Sequence, residues 1–261
     1  LTSGLFLRRL QADPALEGVA CVVFDEFHER GADSDLALAL VRQARELVSP
    51  ELRLVVMSAT LDLAPLAAQL PEAQVLHSEG RSYPVAVDHL RPREGERLDQ
   101  LVLRALEQHW IDQRVDHETV LVFLPGQREI QACLRAIGAT DWGAAIDCVA
   151  LHGNLPLAAQ SQAIAPAQTP EGKVVLTTSI AESSLTLAGV RLVIDSGLSR
   201  RSRFDPQSGM DGLVTVAASL ASAEQRAGRA GRLGPGRCLR LWSPAEQQRR
   251  PSFDPPELLE I

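Results

Sequence analysis

The sequence predicts an α/β fold with two parallel-sheet domains in tandem, and three observations carry that reading. Twice along the chain, short apolar runs rich in β-branched residues alternate with stretches of helical period. Such runs suit strands buried on both faces of a parallel sheet, and strand–helix alternation is the mark of α/β layers. Several of the runs break off abruptly into small or charged polar residues, the place where open α/β sheets bind ligands. The length, 261 residues, allows one large or two medium domains. The expected division is 1–90, 91–250, and a short 251–261 leading into something further.

In the first half, a short apolar helix precedes a turn at Asp13-Pro14. Val19–Phe24 reads as a strand and runs into Asp25-Glu26-Phe27-His28-Glu29-Arg30. A helix from about Asp35 to Leu47 follows, then a strand Leu52–Met57 that ends in Ser58-Ala59-Thr60. Further strands are expected near Gln74–His77 and Val85–Leu90, with Arg91–Arg97 as an interdomain linker. In the second half, Leu98–Ile111 and Arg128–Ile137 read as helices. Strands are expected at Val120–Leu124, Ile146–Leu151, Val174–Thr178, Val190–Asp195 and Arg237–Trp242, and residues 202–216 as a β-hairpin with a long tip.

Composition bounds the function. An apolar content of 45% and a charged content of 23% are ordinary for a soluble globular protein. No apolar run reaches 18 residues, so no membrane span is expected. The opening residues lack a secretory pattern, and Leu1 begins in mid-phrase, as in an excerpt of a longer protein. The four cysteines form no C-x-x-C pair, which argues against zinc and a disulfide framework and for a reduced, cytoplasmic setting. The net charge of −7 argues against a wholesale basic nucleic-acid binder. The charge is uneven, however: residues 1–90 carry seven basic and thirteen acidic groups, residues 196–250 ten arginines and four acids. Anion binding is therefore expected of a local patch in the C-terminal part. All but one of the basic residues are arginine, which is read as compositional bias rather than as phosphate binding.

That patch contains Gln225-Arg226-Ala227-Gly228-Arg229-Ala230-Gly231-Arg232. As a helix it places Gln225, Arg229 and Arg232 on one face, a pair of guanidiniums and an amide suited to an oxyanion such as phosphate. Ser222 and Gln225 read as a capping box at its start. Gly228 and Gly231 cost about 1 kcal/mol each against alanine, which suggests that something approaches their backbone closely. The paired carboxylates Asp25 and Glu26 suit a Mg²⁺ ligand and a general base for water.

In this order the pieces resemble a superfamily 2 nucleic-acid helicase of the DEAH-box class, of the bacterial HrpB type. Thr2-Ser3-Gly4 with Arg8 resembles motif Ib, and Asp25-Glu26-Phe27-His28 motif II. Ser58-Ala59-Thr60 resembles motif III and Phe123-Leu124-Pro125-Gly126 motif IV. Thr178 through Thr186 resembles motif V, and Gln225 through Arg232 motif VI. The resemblance implies two RecA-like domains, the first truncated at its N-terminus, clamping one ATP between them. It gives Asp25 the Mg²⁺, through water, and Glu26 the attacking water. It makes Arg229 and Arg232 arginine fingers, with Gln225 beside the γ-phosphate. It gives His28, Ser58 and Thr60 the coupling to the nucleic-acid face, where Thr2, Gly4, Arg8, Gly126, Thr178 and Ser179 touch the strand. The strand is expected to be single and to be RNA; a motor on DNA and a clamp without turnover are the alternatives.

The resemblance also marks departures. No G-x-x-x-x-G-K-[ST] phosphate loop occurs in the sequence. The family has it upstream of Thr2, so these residues alone are expected not to turn ATP over. Ser179 stands where the class usually has Asn, and Ile164 where many members have a base-stacking Phe. His152 and Gln160 read as structural.

Overall fold

A computed structural model describes residues 1–59, 66, 68, 70–77, 83–113, 115–182, 185, 187–205 and 209–259. The chain forms two compact units. One comprises Leu1–His77, Arg203–Gly212 and Asp254–Ile261; the other comprises Ser78–Ser202 and Leu213–Phe253.

In the first unit, strands β1 (Cys21–Phe24) and β2 (Arg53–Val56) pair in parallel, Cys21 opposite Arg53 and Phe24 opposite Val56. Helices α1 (Ser3–Ala12) and α2 (Ala32–Leu47) pack on each other. Leu10, Leu16, Val22, Phe24, Phe27, Leu38 and Val41 make the core. Phe24 meets Phe6 and Phe27 edge to face, at ring separations of 6.0 and 6.2 Å. The expectation of a strand buried on both faces fails here. Val22 and Phe24 are buried, but Cys21 and Val23 are exposed, because the core gathers on one face of the pair. No strand forms at 74–77 either: Leu76 is 90% exposed, and none of these residues has a ladder partner among the described residues.

The strand expected to close the first domain belongs to the second. β3 (Val85–His89) pairs with β10 (Gly236–Arg240), Gly236 opposite Val85. The six parallel strands among the described residues run in the order β3-β10-β7-β4-β6-β5. The others are β4 (Thr119–Phe123), β5 (Asp147–Leu151), β6 (Lys173–Thr177) and β7 (Val190–Asp195). Nor is 91–97 an interdomain linker, since it lies within the second unit. Glu96 takes two hydrogen bonds from the Arg104 guanidinium, at 2.7 Å each, and Arg104 also donates to the Arg91 carbonyl.

Helices α3 (Leu98–Leu106), α4 (Gln127–Gly138), α5 (Leu157–Ile164), α6 (Leu220–Gly228) and α7 (Pro244–Gln247) complete this unit. α3 runs on into a π-turn, Glu107–Ile111, which carries Trp110 fully into the core, its indole N–H donating to Glu118. Strands β8 (Leu198–Asp205) and β9 (Met210–Ala217) form the expected hairpin, with 206–208 of its tip outside the described residues. At the start of β6, Lys173 is buried. Its ammonium donates to the carbonyls of Gln162 and Ala165, pinning the end of α5 to the sheet, and lies 3.6 Å from Asp147. Burial lowers its pKa. Burial likewise pushes the Cys133 and Cys148 thiols up to about 12.

Candidate active site and nucleic-acid interface

β1 ends at Phe24, and the next six residues form a tight tip. Asp25 is exposed. Its Oδ1 accepts from the Glu26 N–H at 2.8 Å. Glu26 (φ 51°) and Arg30 (φ 50°) both hold the left-handed region, each at a cost of roughly 1–2 kcal/mol, on either side of a 3₁₀ turn, Phe27–Glu29. Strain kept in place at a strand tip bearing two carboxylates is the kind found at functional sites. What keeps it is the neighbouring strand: the Met57 N–H donates to the Phe24 carbonyl at 2.7 Å, and the buried Phe27 N–H donates to the Met57 carbonyl at 3.0 Å.

His28 links the same two tips. Its Nδ1 lies 3.4 Å from the Ala59 N–H, which donates to it, and 3.5 Å from Glu26 Oε2. Accepting from Ala59 requires a bare Nδ1; pairing with Glu26 requires a protonated one. The two contacts therefore exclude each other at Nδ1. Its Nε2 is buried with no hydrogen-bond partner among the described residues. Ser58 is exposed beside Ala59, and Thr60 lies outside the described residues. Asp25 suits Mg²⁺, which is held by one or two carboxylates together with water and phosphate rather than by an all-protein cage. No cluster of three or more potential ligands occurs among the described residues.

At the start of the chain, Thr2 is the N-cap of α1, its hydroxyl accepting from the Leu5 N–H at 3.4 Å. Gly4 and the exposed Arg8 follow one turn apart on that helix. A Cβ at Gly4 would meet Asp33 Oδ2 at 3.0 Å.

In the second unit the strand ends converge. The Leu124 N–H donates to the Thr177 carbonyl, the Thr178 N–H to the Leu151 carbonyl, and the Ser196 N–H to the Phe123 carbonyl. These bonds bring Gly126, His152, Thr178 and Ser179 to one edge of the sheet. His152 is within 3.3 Å of the Gln127 amide, and the Gln160 amide donates to the Leu155 carbonyl. Ser179 is exposed and Thr178 half-buried; Gly126 is buried. A Cβ on Gly126 would sit 2.9 Å from the guanidinium of Arg200, a residue of β8 that the sequence reading did not single out. Ser183, Ser184 and Thr186 lie outside the described residues.

The arginine face differs from its expected form. α6 begins at Leu220 with Ser219 as N-cap, the Ser219 hydroxyl accepting from the Ser222 N–H at 3.1 Å. The Ser222–Gln225 capping box is therefore not made, and the buried Ser222 hydroxyl donates to Glu182 instead. The α-helix stops at Gly228 and tightens to 3₁₀ over Arg229–Gly231, so the 3.6-residue period ends before the second arginine. Arg232 is exposed and Gln225 half-buried. Arg229 is buried, its guanidinium donating to the carbonyls of Leu185 and Glu182. The close approach expected at the glycines holds for one of them. At Gly231 a Cβ would meet the Tyr83 carbonyl oxygen at 2.6 Å and Val85 at 2.8 Å; at Gly228 there is open space.

Arg226, between these residues, was not singled out and is the hub. Its guanidinium donates to Glu182 at 2.7 Å, Asp195 at 2.8 Å, Ser199 Oγ at 2.7 Å and the Leu198 carbonyl at 3.2 Å, and it lies over the Phe123 ring at 5.2 Å. Burial opposes its charge, but Asp195 and Glu182 outweigh that and hold it protonated. Burial raises the Glu182 pKa, with Arg226 opposing. The loop after β6 is thus bound to the arginine segment by two guanidiniums.

Known proteins bear on this arrangement. A family model for the helicase conserved C-terminal domain matches residues 98–234, more than half of the chain. The chain is 43% identical over 260 residues to the ATP-dependent RNA helicase HrpB of Escherichia coli (strain K12), covering 100% of this chain and 32% of that protein. It is 36% identical over 248 residues to the pre-mRNA-splicing factor ATP-dependent RNA helicase prp22 of Schizosaccharomyces pombe, covering 93% and 21%. Two crystal structures of E. coli HrpB, described as a DExH-box NTPase and as a DEAH/RHA helicase, align at TM-scores of 0.88 and 0.90. They share 41% and 42% identity and cover 99% of this chain and 31% and 32% of theirs. The chain thus spans about a third or less of the length of these relatives. With that domain over more than half of its length, the chain belongs to the family of the helicase conserved C-terminal domain.

Proposed function

We propose that the protein containing this chain is an ATP-driven motor on single-stranded RNA, working in the cytoplasm. The observation that carries the proposal is the junction of the two strand tips in the first unit, where hydrogen bonds join Asp25-Glu26-Phe27-His28 to Met57-Ser58-Ala59. Asp25 and Glu26 stand at the carboxyl end of a parallel pair, half-buried to exposed, where a phosphate and a water can both reach them.

In this reading Glu26 takes the proton of the water whose oxygen bonds to the γ-phosphorus as the bond to ADP breaks, and Asp25 would hold Mg²⁺ through water. The ion would supply charge neutralisation at the phosphates. Arg232, exposed, answers the charge that develops on the γ-phosphoryl group, and Gln225 orients its surroundings. Arg229 joins by exchanging the carbonyls of Leu185 and Glu182 for phosphate. Such guanidiniums are worth about 10³–10⁵ in rate in phosphoryl transfer. His28 and Ser58, with Thr60, report the state of this site to the strand-binding residues Thr2, Gly4, Arg8, Gly126, Thr178 and Ser179. Backbone contacts of that sort bind without sequence preference and weaken with salt. The relatives named RNA helicases favour RNA over DNA as the track. These residues alone, without a phosphate loop, do not turn ATP over.

The test is ATP hydrolysis by the full-length protein with and without single-stranded RNA, beside Glu26→Gln. RNA should stimulate turnover, and the variant should bind ATP and hydrolyse it at least a hundredfold more slowly, a general base being worth about 10²–10⁴. Near wild-type turnover in Glu26→Gln would overturn the assigned chemistry; RNA binding without hydrolysis would favour a clamp.

A further inference from the structure

Helix α2 begins without a cap of its own. Its N-cap is Gly31, which has no side chain, and Gly31 directly follows Arg30 in the left-handed region. The first amides of a helix need acceptors, ordinarily from Ser, Thr, Asp or Asn at the N-cap. Neither acid of the first turn is in a position to serve. Both carboxylate oxygens of Asp35 accept from Arg30 Nε, at 3.0 and 3.2 Å, and Asp33 lies beside Gly4 of α1.

The acceptor comes from 225 residues away. Glu257 Oε2 accepts from the Ala32 N–H at 2.8 Å, and the Glu257 N–H donates to the Arg30 carbonyl at 3.1 Å. The exchange is reciprocal, as in a capping box, but one half is supplied by a single 3₁₀ turn, Glu257–Leu259, that follows the second unit in the chain. The carboxylate also places a negative charge at the positive end of a 16-residue helix.

We propose that Glu257 is a positioning residue for the catalytic carboxylates. By capping α2 and holding the Arg30 carbonyl, it fixes the far end of the turn whose near end is Asp25 and Glu26. The turn carries two left-handed residues, so it relaxes unless both ends are held. Displacements of about 1 Å at a reacting group cost up to about a hundredfold in rate. The inference rests on reading Asp25 and Glu26 as the hydrolytic pair.

The experiment uses the full-length protein and three variants: Glu257→Ala, Glu257→Gln, and Glu257→Ala combined with Gly31→Asp. Gly31 has φ −62° and ψ 142°, open to any residue. A Cβ there would lie 3.7 Å from Glu257 Oε2, so aspartate fits and supplies the cap locally. Glu257→Ala should lower the kcat of RNA-stimulated ATP hydrolysis about tenfold, the scale of one lost cap, with KM for ATP within about twofold. Amide hydrogen exchange over residues 25–32 should accelerate while the rest of the first unit is unchanged. Glu257→Gln, which keeps an acceptor, should lose less, and Gly31→Asp should restore most of kcat. Unchanged kcat and exchange in Glu257→Ala would overturn the proposal, as would a loss that Gly31→Asp does not recover. Turnover retained in Glu26→Gln would remove the reading beneath it, and exchange over 25–32 would still report whether the cap is real.

Discussion

In the second unit the buried hub is Arg226. It sits inside the glutamine–arginine motif, but a helical face drawn through Gln225, Arg229 and Arg232 leaves it on the flank, about a quarter-turn away. That flank faces inward, where the fully buried Asp195 ends β7 and takes the Arg226 guanidinium as partner. An acid closing a buried strand was the signal that could have found it. Removing one member of a buried ion network leaves the others uncompensated, at a cost of about 3–5 kcal/mol. Arg226→Met should therefore lower the unfolding free energy of the second unit by that amount, read from urea titration followed by tryptophan fluorescence. A loss under about 1 kcal/mol would refute that role for the guanidinium. The motif residues themselves were legible by type and order. Their partners were not, since Arg229's carbonyls and Arg200's place over Gly126 depend on chain segments that local sequence does not join.

At the scale of elements, the strands of the second unit's parallel sheet fall within about two residues of their sequence positions, because each is bounded by clear turn signals. β3 was placed in the wrong sheet for a physical reason. An edge strand has one partner, and its partner β10 is about 150 residues downstream, so nothing nearby in the sequence reveals it. The 91–97 segment differs likewise: its charges, Pro and Gly suggest an interdomain linker, but it lies inside the second unit, where Glu96 is tied to Arg104 of the following helix. Hydrogen bonding to Arg104 holds the Glu96 carboxyl at about 2, against its usual 4.5. A carboxyl depressed on folding stabilises above its unfolded pKa and loses that contribution as pH falls through the folded one. The wild type should thus melt above Glu96→Gln at neutral pH, with the gap closing between about pH 4.5 and 2. A gap that persists at pH 2 would refute the role of the ion pair.

For the whole molecule, two separate cores imply two unfolding events. Among the described residues, the first unit builds its core on a two-stranded sheet, whereas the second builds its own on a six-stranded one. Smaller cores are the more marginal. All three tryptophans, Trp110, Trp142 and Trp242, lie in the second unit. In guanidinium, far-UV circular dichroism should begin to fall before tryptophan fluorescence moves; coincident curves would show a single cooperative fold. The composition carries a practical consequence through one residue. Of the 26 basic side chains a single one, Lys173, is a primary amine, and the sheet encloses it against carbonyls that leave no face open to reagent. Amine-directed chemistry, whether an acyl transferase, a ubiquitin conjugate or a succinimide cross-linker, therefore meets no lysine on the surface of these residues while they stay folded. Labelling of Lys173 would record its unfolding instead.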